Sequence, residues 1–165
     1  MTDEMFLRRA IALALQARAL GEEPFGAVLV CDGFVVSEAF KQTAARCDPT
    51  AHPELLAISD TCRAQRRLSL EGCTLYASAE PCPMCAGAIH WSRISRVVFS
   101  VSQAMLQRLS GGSPKPECGR IINSGRWQAE IVGPLLADEG LGAFAGFVFP
   151  SHAGRGAGGR HDAPK

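Results

Sequence analysis

His52, Glu54, Cys82 and Cys85 are the residues of this sequence whose types and spacing could do chemistry. His52 and Glu54 lie two positions apart, and Cys82 follows 28 residues after Glu54 in the run Glu80, Pro81, Cys82, Pro83, Met84, Cys85. An imidazole and two thiolates are zinc donors, and a catalytic zinc keeps three protein ligands and leaves a fourth position for water. His52, Cys82 and Cys85 are therefore the predicted ligands of one Zn2+ per chain. Cys82 and Cys85 are three apart at a predicted helix start, so they share a face and sit where the positive end of the helix dipole favours thiolate over thiol. Glu54 would point roughly 200° away from His52 on an ideal helix. Both address one metal only at an irregular first turn, a geometry that suits a carboxylate approaching the metal's water rather than the metal.

Two other chemistries fit a lone pair of cysteines three apart: half of a structural zinc site, or a redox pair. A structural site wants a fourth Cys or His at motif spacing, but Cys73 opens a predicted strand and His90 lies too far along its helix. Cys31, Cys47 and Cys62 read as ordinary small residues.

Elements must bring these residues together. Leu7, Ile11, Ala14 and Leu15 recur at helical spacing and define a first helix that ends near Gly21. Ala27 to Val30 and Phe34 to Val36, split by Asp32 and Gly33, read as a hairpin of two strands. Residues 41–50 are polar and predict a loop, and a second helix runs from His52 to about Arg67. A strand at 73–78, a helix at 83–92 and a strand at 96–99 then alternate as in crossover units, which favours an α/β layer sandwich. Residues 110–119 predict a loop that folds over a site. An irregular helical turn, a strand at 129–132 and a closing helix from Leu135 follow. Domain organisation is predicted as one domain over 1–150 and a Gly-rich, disordered tail over 151–165.

With 165 residues, 47% of them hydrophobic, the chain can bury a core without staples. Lys and Arg number 17 against 16 acids. Three of those bases and one acid lie beyond Pro150, which leaves a body with one net negative charge. Such a body argues against sequence-blind phosphate binding, which needs a clustered basic surface. Seven cysteines are an odd number, and the acidic start at Thr2, Asp3 and Glu4 is unlike a signal peptide, so a reducing, cytoplasmic setting is expected. No apolar run approaches the roughly 20 residues that span a bilayer.

A His-x-Glu together with a Pro-Cys-x-x-Cys around zinc is the signature of the zinc nucleobase deaminases. The sequence resembles the cytidine and deoxycytidylate deaminase superfamily, in the branch that holds guanine deaminases and tRNA adenosine deaminases. The resemblance is carried by Asp48 to His52 and by Pro81 to Ile89, and runs from the first helix to about residue 101. Pro24 to Val28 and Trp91 to Arg93 lean toward guanine deaminases, while Arg96 to Phe99 is equally at home in the tRNA enzymes. It implies a three-layer α/β/α sandwich with a central mixed five-stranded sheet, a homodimer, and hydrolytic loss of ammonia from a small aminated heterocycle. In that chemistry Glu54 is the catalytic proton shuttle, taking a proton from the attacking water and delivering protons to the ring nitrogen and the departing amine.

The sequence departs from the family at two places. The branch commonly carries a base-reading asparagine eleven residues before the zinc histidine, where this chain has Lys41, followed by Gln42. It commonly has Ala or Gly between His and Glu, and Pro53 has no N–H to donate. Pro53 also suits the first position of a helix, and Lys41 also reads as a solvated loop residue. Phe25, Lys41, Gln42 and Pro53 are the candidate substrate-binding residues, with Phe25 equally readable as a core aromatic. Glu80 reads as a residue that orients the site or caps the next helix; Trp91, Trp127 and Cys118 read as core or loop residues. The leading reading is a guanine deaminase-like enzyme acting on a purine base or related compound. The alternatives are a tRNA adenosine deaminase, which the neutral body disfavours, and a non-catalytic zinc scaffold, which has no use for Glu54.

Overall fold

The spacing of Leu7, Ile11 and Ala14 produces a helix, α1 (Asp3–Ala19), whose buried residues Phe6, Leu7, Ala10, Ile11, Ala14 and Ala17 form one stripe. After it come β1 (Gly26–Cys31), β2 (Phe34–Phe40), α2 (Thr43–Arg46), α3 (Pro53–Gln65), β3 (Thr74–Ala79), α4 (Pro83–Ser92) and β4 (Arg96–Val101). The chain ends through α5 (Gln103–Ser110), α6 (Cys118–Ile122), β5 (Glu130–Val132) and α7 (Ala137–Gly142). The structure, a computed structural model, describes residues 2–150. The tail expected at 151–165 lies outside the described residues.

The strand order is β2-β1-β3-β4-β5. β1 pairs antiparallel with β2 and β3, and β4 pairs parallel with β3 and β5, which makes the sheet mixed. Asp32 and Gly33 both take positive φ, 53° and 80°, as the tight β1–β2 turn requires. Side chains alternate across the sheet, so it carries two cores. Ala27, Leu29, Leu75, Ala77 and Val97 pack with Leu56 and Ala57 of α3 and with Ala86 and Ile89 of α4. On the other face Val28, Val30, Tyr76 and Val98 pack with Phe6, Leu7 and Ala10 of α1. This is the three-layer α/β/α sandwich expected from the sequence.

Three features depart from the sequence reading. α2 lies inside the expected 41–50 loop, and its N-terminal N–H groups are capped from outside: Glu22 accepts Ala44 N–H at 3.1 Å and Ala45 N–H at 2.8 Å. α5 was given no element, although Ser102 Oγ accepts Met105 N–H at 3.3 Å as an N-cap and Leu106 buries. Cys31 is not an isolated small residue but is disulfide-bonded to Cys73 across a sequence separation of 42. The pairing of Val30 with Thr74 places these next two residues opposite each other on adjacent strands, a consequence of register that spacing cannot reveal.

Candidate active site

α3 and α4 begin in the same way. His52 is the N-cap of α3 and Cys82 the N-cap of α4; both have extended backbones, φ −82° and ψ 148° against φ −68° and ψ 168°, and both precede a proline. Proline suits the first helical position and keeps the preceding residue out of the helical region. Pro53 and Pro83 thus hold two donor side chains just outside their helices. With His52 off the helix, the 200° separation from Glu54 does not apply, and the irregular first turn that the sequence required is present.

His52 Nδ1 lies 3.7 Å from Cys82 Sγ and 3.7 Å from Cys85 Sγ, and the two sulfurs are 3.6 Å apart. Bond lengths of about 2.3 Å to sulfur and about 2.0 Å to nitrogen at a tetrahedral zinc correspond to roughly 3.8 Å between sulfurs and roughly 3.5 Å between sulfur and nitrogen. The triangle therefore fits zinc without rearrangement. His52, Cys82 and Cys85 are the metal-competent group among the described residues.

The electrostatics of the donor set favour one thiolate, at Cys82. The hydrogen bond between Cys82 and Cys85, with His52 close by, pulls the Cys82 thiol down to about 4 against its burial. Cys85, buried between Cys82 and the Glu54 carboxylate, is pushed strongly up. Glu54 Oε2 sits 3.4 Å from Cys85 Sγ. Only 6% of Glu54 is exposed, and burial pushes its carboxyl above the ordinary carboxylate range.

Beside the triangle opens a cavity of about 710 Å³. His52, Glu54 and Cys82 reach it from one side, and Phe25, Lys41 and Glu23 form another wall. Glu80, Gln103, Leu106, residues 110–113, Lys115, Phe149 and Pro150 complete the lining. Phe25 packs edge-on against Phe144, with centroids 5.5 Å apart. It serves both as wall and as part of the aromatic cluster around the C-terminal segment.

Phe25 and Lys41 line the same cavity as His52, Glu54 and Cys82. Gln42 and Pro53 are not among the residues that line the cavity. Gln42 Oε1 accepts from Arg46 Nε at 2.8 Å on the exposed side of α2, and Pro53 is buried at the helix start. Glu23 was missed, and so was α5 as a wall. Nothing local marks Glu23, whereas the Ser102 cap with Met105, Leu106 and Leu109 would have marked α5.

The sequence profile of the cytidine and deoxycytidylate deaminase zinc-binding region matches residues 1–101. The chain belongs to this family of hydrolytic C–N deaminases. Among curated relatives, the tRNA-specific adenosine deaminase of Bacillus subtilis (strain 168) is 36% identical over 151 residues, 88% of each chain. The guanine deaminase of the same strain is 44% identical over 101 residues, 61% of this chain and 65% of that protein. A solved structure from a study of A-to-I editing by tRNA:A34 deaminases at the wobble position superposes with a TM-score of 0.72 at 30% identity. It covers 85% of this chain and 99% of that one.

Proposed function

We propose that this chain is a zinc-dependent deaminase that hydrolyses the exocyclic amino group from a small purine-like base, with His52, Cys82 and Cys85 as zinc ligands and Glu54 as the catalytic acid and base. The observation that carries the reading is the buried Glu54 carboxylate 3.4 Å from Cys85 Sγ at the edge of a three-donor triangle that faces a cavity. A purely structural zinc would have a fourth protein donor instead of a carboxylate and a cavity. When bound there, zinc supplies Lewis acidity that brings the pKa of a coordinated water to about 7. Glu54 takes a proton from the attacking water and gives it to the ring nitrogen, then takes the second proton from the newly attached hydroxyl and gives it to the leaving amine, which departs as ammonia. Its raised basicity suits it to receive the proton first and release it later. Phe25 offers an apolar face to the ring.

A small free substrate is favoured over RNA by charge: residues 1–150 carry one net negative charge, whereas binding along a phosphate backbone draws on a basic excess. The second reading, deamination of a tRNA adenosine, is favoured by one observation, the similarity to a tRNA-specific enzyme along 88% of both chains. Ammonia release from zinc-loaded protein across guanine, adenine, cytosine, their nucleosides, pterins and aminotriazines, alongside inosine formation in tRNA, separates the two. Glu54→Ala is the blank. Turnover of a free ring that Glu54→Ala abolishes supports the first reading, and inosine in tRNA without free-ring turnover replaces it with the second.

A further inference from the structure

Lys41 and Glu23 form an ion pair inside the cavity wall. Lys41 is 7% exposed, and its ammonium also lies 5.2 Å from the centre of the Phe25 ring. Burying a lysine beside a carboxylate contributes little net stability, because desolvation cancels most of the attraction and apolar replacements often do as well. Nor is the pair needed to anchor the chain here. Glu22 already caps α2 through Ala44, Ala45 and Thr43, and Lys41 N–H bonds to Phe25 O at 3.0 Å.

The pair leaves hydrogen-bonding capacity facing the cavity. An ammonium has three donors, of which Glu23 Oε2 takes one. Among the described residues, Glu23 Oε1 accepts no hydrogen bond. Most other polar groups of the wall are committed: the Glu80 carboxylate accepts the N–H of Gln103 and of Cys118, and Gln103 Nε2 donates to Glu80 O at 2.7 Å. The pair is neutral as a unit, so it does not select an anion. It offers one donor beside one acceptor, the complement of a ring carbonyl next to a ring N–H.

We infer that Lys41 and Glu23 together read the lactam edge of the substrate, Lys41 donating to a ring oxo group and Glu23 accepting from the adjacent ring N–H. This rests on the deaminase reading for the placement of the ring and narrows its substrate class to aminated rings that carry an oxo group beside a ring N–H. Lys41 and Glu23 are specificity residues here, while Glu54 does the chemistry. The same pair disfavours rings that bear a carboxylate at this edge, because Glu23 would face it directly.

The test is a binding measurement in a background without turnover. Zinc-loaded Glu54→Ala protein, alone and with Lys41→Met or Glu23→Gln added, is titrated with guanine and with 2-aminopurine, which lacks the lactam. Preference for guanine of tenfold or more is expected, reduced to less than threefold by either added substitution. Glu23→Gln keeps the side-chain shape and gives the same readout where Lys41→Met fails to fold. A preference that survives both substitutions, or no binding of either ring, overturns the inference. A preference that collapses as expected, in a protein that releases no ammonia before Glu54 is replaced, removes the deaminase reading and leaves the lactam-reading pair standing.

Discussion

The carboxylate of Glu80 accepts the backbone N–H of Cys118 at 2.7 Å and that of Gln103 at 2.8 Å. Glu80 directly precedes the Pro81–Cys82 turn, so one buried side chain joins the donor triangle to the first residues of α5 and α6, between which runs the segment that walls the cavity. Burial, with this carboxylate beside it, pushes the Cys118 thiol up to about 12 and keeps it an inert packing group. Glu80→Gln replaces one acceptor by an N–H2 that faces a backbone N–H, and a buried unmet donor costs about 1–3 kcal/mol. Unfolding by urea should show that loss. Steady-state kinetics should show KM raised more than kcat lowered, since the segment between α5 and α6 supplies residues 110–113 and Lys115 to the cavity wall.

The triangle of His52, Cys82 and Cys85 joins the starts of α3 and α4, so a metal held there staples the two helices. Removing zinc with a chelator should abolish ammonia release and lower the melting temperature, and restoring zinc should recover both. Cys85→Ala should bind no zinc at stoichiometric concentrations and lie at the chelated protein's melting temperature even with zinc present. Elemental analysis and calorimetric melting check this, and unchanged stability on chelation would remove the stapling argument. One zinc per chain is the expected content.

What was legible in the sequence follows from the range of the forces involved. Apolar spacing marked α1 and α3, and the β1–β2 hairpin was visible from Asp32 and Gly33, because each signal lies within one element. The grouping of His52, Cys82 and Cys85 was legible because donor chemistry and helix-start spacing are both local. α2 was hidden since its cap, Glu22, is remote in sequence, and Cys31–Cys73 because register between β1 and β3 decides it. Glu23 was hidden for the same reason. Its partner Lys41 stands 18 residues on, at the far end of the hairpin, and only the folded β1–β2 ribbon brings the two to one wall. Pro53 drew attention as a lost donor, whereas its position shows what it does for His52.

Asp3 and Arg96 make a two-pronged pair, with both distances 2.7 Å, and Tyr76 Oη donates to the same carboxylate at 2.8 Å. The hydrogen bonds from Arg96 hold the Asp3 carboxyl below its ordinary value of 3.8. A carboxyl depressed in the folded state stabilises it fully above the unfolded value and loses that contribution as pH falls through the folded value. The pair is about a third exposed on the Asp3 side, so solvent screening reduces its worth to about 1 kcal/mol. Asp3→Asn should therefore cost about that much at pH 7, and the difference should shrink as pH falls from 3.8 through the lower folded value. Urea titrations at pH 7, 5 and 3 test it. A difference as large at pH 3 as at pH 7 would mean that lost packing, rather than charge, is responsible.

Gly26 is the point where α1 comes closest to the sheet. A Cβ there would lie 2.4 Å from Ala10 O, 2.6 Å from Leu13 Cβ and 2.7 Å from Ala14 N. Two of those atoms are helix backbone, which cannot swing aside as a side-chain tip can. Gly26 N–H donates to Ser78 Oγ at 2.9 Å, and so the strand cannot retreat from the helix without breaking a buried bond. Gly26→Ala must therefore push α1 outward, and overpacking of this kind costs about 1–3 kcal/mol or more. The shift would also reach the cavity, because Phe25 is the adjacent residue and its ring forms part of the wall. Denaturant unfolding should show the loss, with kcat/KM falling several-fold at temperatures where the variant remains folded. A stability within about 0.5 kcal/mol of the parent, the range of a neutral surface change, would mean that α1 shifts without resistance and that its contact with β1 is loose.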